Sequence, residues 1–198
     1  MTVFTIAFRS GTTGGSAGIT ENDADADTSW TGGSLDTDSE IQGTGCVGNK
    51  VSNATNVFSY AGTSRDFIGG ANDADHVYTW LNCLTPNLDT IANGGIRIRL
   101  GDSATVYREF YVGGDGTVSD DPYAGGWKCF VIDPTLAADA SRIFDTGTPD
   151  MNICDTFGGV IKTVAMISGN FNNGLIDAIR IGSGLRVING DGADPAAT

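Results

Sequence analysis

The chain predicts an all-β fold, a two-sheet antiparallel sandwich, and three observations carry that reading. Its acid is almost wholly aspartate, 21 Asp against 3 Glu, and glycine numbers 29. Asp bonds to nearby backbone in turns, and Gly loses the most backbone entropy in a helix, so both residues favour loops over helix interiors. Apolar residues recur at every second position in short runs bounded by turn formers, which is the strand signature. No ten-residue amphipathic helical pattern competes with them.

Residues 2–8 alternate and read as a first strand. Residues 9–40 are rich in Gly, Ser, Thr and Asp and read as a long loop with one short strand. With so few apolar residues, this region is expected to be an arm ordered by neighbouring subunits. Trp30 stands in it as the candidate ligand or interface residue, since an aromatic in a polar loop can stack on a sugar ring or a partner. Two strand-like pieces follow, IQGTGCV at 41–47 and VFSYA at 57–61. HVYTWLNCL, residues 76–84, sets Val77, Thr79, Leu81 and Cys83 on one face and Tyr78 and Trp80 on the other.

The clearest hairpin comes next. Ile96, Ile98 and Leu100 share a face, Arg97 and Arg99 lie opposite, and Gly101-Asp102 opens a turn. In the return strand, 105–112, Val106, Phe110 and Val112 are expected inward, with Arg108 near a rim. Residues 113–126 are a loop by every turn signal, and WKCFVID is a strand. TLAADASRIF within 135–150 is the one helix-like patch, of one or two turns. VIKTVAMI, 160–167, suits a covered strand. NFNNG is a turn before the closing strands IDAIRIG and LRVI. One domain spans residues 1–190, and residues 191–198 form a mobile tail. The stretch ENDADADTSW at 21–30 aligns without gaps to ANDADHVYTW at 71–80, either by chance in an Asp- and Ala-rich chain or as two equivalent loop-to-strand junctions.

The formal net charge is −13. Such a surface repels a phosphate backbone, so no nucleic-acid partner is expected. No apolar run reaches the length of a membrane-spanning helix, and no membrane partner is expected. The N-terminus lacks the basic and apolar regions of a secretory signal. Cys46, Cys83, Cys129 and Cys154 lack the close spacing of a zinc site and read as buried thiols.

Two closing strands carry a resemblance. GGWKCFVIDP at 125–134 has the form G-W-x-x-x-x-I-D, and LIDAIRIGSGLRV at 175–187 contains I-D-x-I-R-I. Together they resemble the last strands of concanavalin-like and laminin-G-like jelly-roll sandwiches. The texture of residues 76–190 is similar to that of tailed-bacteriophage virion proteins. The resemblance implies a non-enzymatic structural protein, a lectin-like sandwich on a capsid as decoration or on an appendage. It implies other virion proteins as partners, a homo-oligomer or lattice, and a virion location after synthesis in the host cytoplasm. The alternative is a carbohydrate-binding lectin or the receptor-binding domain of a fibre, with glycans as ligands.

Little catalytic chemistry is legible. Retaining glycosidases on related sandwiches use an E-x-D-x-E strand with two carboxylates about 5 Å apart. With only Glu21, Glu40 and Glu109, no such strand exists. His76 is the sole histidine, with no nucleophile elbow to accompany it. GTTGGSAG lacks the lysine of a phosphate loop. The alternating Asp23, Asp25 and Asp27, with Asp36 and Asp38, could give oxygen ligands to calcium, but lack the EF-hand glycine and glutamate. Trp127 is expected in the core. The reading is therefore no enzyme, no catalytic or metal residue, and no cofactor beyond a possible calcium.

Overall fold

The computed structural model describes residues 6–10, 19–41, 43–50, 55–84, 91–113, 127–139, 141–163, 173–183 and 185–189. Fourteen strands account for its regular structure: β1 Ile6–Ser10, β2 Ile19–Asn22, β3 Trp30–Thr31, β4 Ser34–Asp36, β5 Cys46–Lys50, β6 Thr55–Arg65, β7 His76–Leu84, β8 Ile91–Gly101, β9 Tyr107–Gly113, β10 Trp127–Ile132, β11 Ile143–Thr146, β12 Cys154–Thr163, β13 Asn173–Gly182 and β14 Leu185–Asn189. No helix occurs among the described residues.

Two six-stranded sheets result, and every strand pairing is antiparallel. The first runs β10-β7-β13-β5-β4, with β2 also on β13; the second runs β11-β9-β8-β12-β6-β3. β1 pairs with β14 as a separate ribbon. The fold is thus the expected two-sheet antiparallel sandwich. β13 is the hinge of the first sheet's order. β7 takes one edge of it, while β5 pairs its first half and β2 its second half along the other.

Alternation decides which residues fill the interior. In the first sheet Val47, Ile176 and Leu81 stand opposite one another, as do Ile181, Val77 and Ile132. In the second, Phe110, Ile98 and Gly159 form one row and Leu100 and Phe157 another. These apolar side chains meet in one core, and Ile98, Phe58 and Ile176 are fully buried. Gly159 brings the layers together: a Cβ there would sit 3.0 Å from Leu81 Cδ2 of the facing sheet. Phe110 lies inward as expected, with Arg108 at the rim paired to Asp145.

Three expectations are corrected. Residues 19–31 are not an arm awaiting partners: β2 joins the first sheet, β3 joins the second, and Ala24 and Trp30 enter the core. Glu21 locks them in place, accepting the Thr63 N–H at 2.7 Å and both Nε and Nη2 of Arg65. The helix-like patch at 135–150 forms no helix. Asp133 and Asp139 draw the backbone into turns by accepting nearby N–H groups, and Ile143–Thr146 then pairs with β9. Trp127 leaves the main core for the outer face of the first sheet. The expectations for residues 2–5, 9–18 apart from β1, most of 113–126, 164–167 and 191–198 fall wholly or partly outside the described residues.

The sequence echo is real at the backbone. Ala24 and Ala74, matched positions of the two Asn-Asp-Ala-Asp stretches, have φ of 59° and 65°. A non-glycine residue seldom enters this region, so the matched alanines share an unusual backbone conformation.

Candidate functional site

The outer face of the first sheet gathers polar and aromatic side chains that the core has no use for. Residues opposite one another across strands share a face, so the registers give its rows. Leu175, Asn82 and Trp127 form one row. Asp177, Trp80 and Cys129 form the next, and the pairing of Val47 with Ile176 sets Cys46 beside Asp177. Arg180, Tyr78 and Val131 form the third.

A β-bulge makes this arrangement possible. In a regular strand Asp177 and Arg180 would face opposite ways. The register shifts between them, so that Asp177 opposes Trp80 and Arg180 opposes Tyr78, adjacent outward positions of β7. Ala178 absorbs the extra residue with φ of 47°, and Ile179 still reaches the core. Bulges and strained residues concentrate beside functional sites. The I-D-x-I-R-I stretch of the sequence is this bulge.

Tyr78, Trp80 and Ala178 form a second apolar cluster, joined by Ile41, Trp127 and Cys129. The segment from β4 to β5 lies across it. The Ile41 N–H donates to Asp177 Oδ2 at 2.9 Å, and Trp127 Nε1 donates to the Ser39 carbonyl at 2.9 Å. Asp25 Oδ1 then holds the segment's far end through the N–H groups of Thr44 and Gly45. Burial here perturbs titration. Desolvation, with the carboxylates of Asp177, Asp36 and Glu40, pushes the Cys46 thiol well above its ordinary range. Burial pushes Cys129 up to about 12. Burial also pulls the Arg180 guanidinium down, opposed by Asp23 and Asp177.

The residues singled out from sequence fall elsewhere. Trp30, expected exposed in a polar loop, is 8% exposed, packs against Tyr60 and donates its indole N–H to Asn22 Oδ1. Its small share of surface comes from the edge strand β3. The calcium candidates staple loops: Asp27 Oδ2 accepts from Leu35 N, and Asp36 Oδ1 from Asp38 N. Among the described residues no three His, Cys, Asp or Glu side chains converge as metal ligands. His76 opens β7 opposite Gly182, with its Nδ1 buried and unbonded. Two glutamates are tied to arginines, Glu21 to Arg65 and Glu109 to both Arg97 and Arg99, and Glu40 is exposed. Asn82 and Asp177 were not singled out as site residues, although a lone Asp within LIDAIRI and a lone Asn within TWLNCL are polar breaks in strands otherwise built to be buried.

No family model and no curated protein matches the chain. Its fold is similar to that of a solved structure from a structural analysis of an exo-β-agarase, with a TM-score of 0.54, 9% identity and 84% of this chain covered. The match takes in 25% of that chain, so this protein spans about a quarter of that one's length. The likeness establishes a β-sandwich and goes no further.

Proposed function

We propose that this chain is a non-catalytic carbohydrate-binding sandwich that holds a glycan against the outer face of its first sheet. The observation that carries the reading is the alignment of Tyr78, Trp80 and Trp127 with Asn82, Asp177 and Arg180 on one face. With the β4–β5 segment moved aside, the aromatic rings would offer apolar surface to a sugar, and the amide, carboxylate and guanidinium groups match its hydroxyls. A related fold within an exo-β-agarase supports a carbohydrate ligand and makes agarose the first glycan to try. The non-catalytic part is supported by the glutamates, of which the two buried ones are committed to ion pairs with arginines rather than paired with a second carboxylate.

The setting we propose is a virion surface, where many copies would multiply a weak affinity. That part follows from the sequence resemblance of residues 76–190, and immunogold labelling of particles would test it. The binding itself is tested by retention of the purified chain on agarose and other neutral polysaccharides. We expect retention on agarose, weakened by Trp127→Ala in protein that circular dichroism shows still folded, and no release of reducing ends. A chain that binds no member of such a panel overturns the reading, and sustained release of reducing ends overturns its non-catalytic part.

A further inference from the structure

The outer face of β7 holds two buried polar atoms without a hydrogen-bond partner, Trp80 Nε1 and Asn82 Oδ1. Trp80 is 8% exposed and Asn82 4%. A native fold seldom leaves such groups unbonded, because each forfeits its bonds to water. Here two occur at alternate positions of one strand, on one face, about 7 Å apart along the backbone. One can only donate and the other can only accept. Asp177, their neighbour across the row, already accepts from Ile41.

We propose that Trp80 Nε1 and Asn82 Oδ1 are a donor–acceptor pair for the hydroxyls of a single pyranose ring. The inference rests on the carbohydrate-binding reading above and names the atoms that would give it selectivity. A sugar hydroxyl both accepts and donates, so one ring satisfies an indole N–H with one hydroxyl and an amide oxygen with the next. A site built to bond a hydroxyl rejects ligands that lack it far more strongly than an apolar pocket does. The segment around Ser39 and Ile41 packs against the Trp80 cluster, tied by single hydrogen bonds to Asp177 and from Trp127, while Asp25 holds its far end. Sugar entry therefore lifts this segment and breaks the Trp127 bond to Ser39.

Asn82→Leu separates this role from a structural one. Leucine is near in shape and removes the orphaned acceptor. Where Asn82 serves a ligand, the substitution leaves the melting temperature unchanged or raises it, while affinity for an agarose hexasaccharide falls about tenfold, the loss of roughly one hydrogen bond. A lowered melting temperature would assign Asn82 to the fold and overturn the proposal. A second measurement needs no variant. The chain has three tryptophans, and nitrogen-15 spectra of the full chain resolve their indole N–H signals, assigned by single Trp→Phe changes. Saturating hexasaccharide should move the Trp80 and Trp127 signals and leave that of Trp30, bonded to Asn22, in place. Binding that leaves Trp80 unmoved overturns the donor–acceptor pair while the carbohydrate reading stands. No binding to any glycan of the panel removes both.

Discussion

Removing the Glu21 carboxylate should weaken the whole domain, because it joins the two sheets. Glu21 lies on β2 of the first sheet and Arg65 and Thr63 lie on β6 of the second. The Glu21 side chain is 1% exposed and that of Arg65 17%. Gly62 is needed beside it, since a Cβ there would collide with Glu21 Oε1. Breaking a buried pair costs about 3–5 kcal/mol, because the remaining charge is left uncompensated. Arg65 keeps some water, so Glu21→Leu belongs near about 3 kcal/mol, with the unbonded Thr63 N–H adding about 1 kcal/mol. Arg65→Met leaves a fully buried carboxylate with one N–H and should cost a similar amount. The double variant Glu21→Leu/Arg65→Met buries no charge and retains only the Thr63 penalty, about 1–2 kcal/mol. Urea unfolding of all four proteins measures the cycle. The double variant should be more stable than either single one, so the coupling should exceed about 3 kcal/mol. Additive losses would show that the pair does not bind the sheets and refute the reasoning.

Ile179→Ala, at a position 1% exposed in the core, should lose about 2–5 kcal/mol in urea unfolding, and a loss under about 1 kcal/mol would contradict its inward placement after the bulge. Ala74→Gly should raise the melting temperature by about 2 °C, because the left-handed penalty it relieves exceeds the extra chain entropy of glycine. Ala74 is exposed, whereas the same change at Ala24, 1% exposed in the core, should gain less because a packed methyl is lost. Above pH 9 the domain should lose stability. Burial raises the Cys154 thiol from 9.0 to about 12, so the unfolded chain releases its proton first, at about 1.4 kcal/mol per pH unit between those values. Cys154→Ala should flatten that part of the pH–stability curve, and an unchanged slope would contradict the assignment.

Strand interiors were legible where one rule, alternation, was enough. It placed Val77, Thr79 and Leu81 inward, Tyr78 and Trp80 outward, and the Ile96, Ile98 and Leu100 face against the core. It failed where structure depends on distant partners. β3 is two residues long, and Trp30 becomes core only because Tyr60 of β6 lies opposite it. The helical pattern of 135–144 was overridden by carboxylates that claim backbone N–H groups and by the free edge of β9. The candidate site was least legible, because it depends on one extra residue. Alternation read through Asp177 to Arg180 sends one of them inward, and nothing in an apolar run announces a bulge. The orphaned atoms of Trp80 and Asn82 are likewise invisible in sequence, since satisfaction depends on neighbours from other strands.

The position of β13 in the chain bears on how the protein is made. The second sheet is complete in sequence at Thr163, whereas the first waits for β13 to supply the strand that joins β7, β5 and β2. During synthesis from the N-terminus, Phe58, Ile98, Leu100 and Phe157 therefore face only the unjoined β7-β10 and β4-β5 pairs until most of the chain has emerged. Folding dominated by such late, long-range pairing is slow and exposes sticky surface on the way. A ribosome that stalled between Thr163 and Asn173 would leave a half-built product with an open apolar sheet, suited to capture by chaperones or to clumping with its own kind.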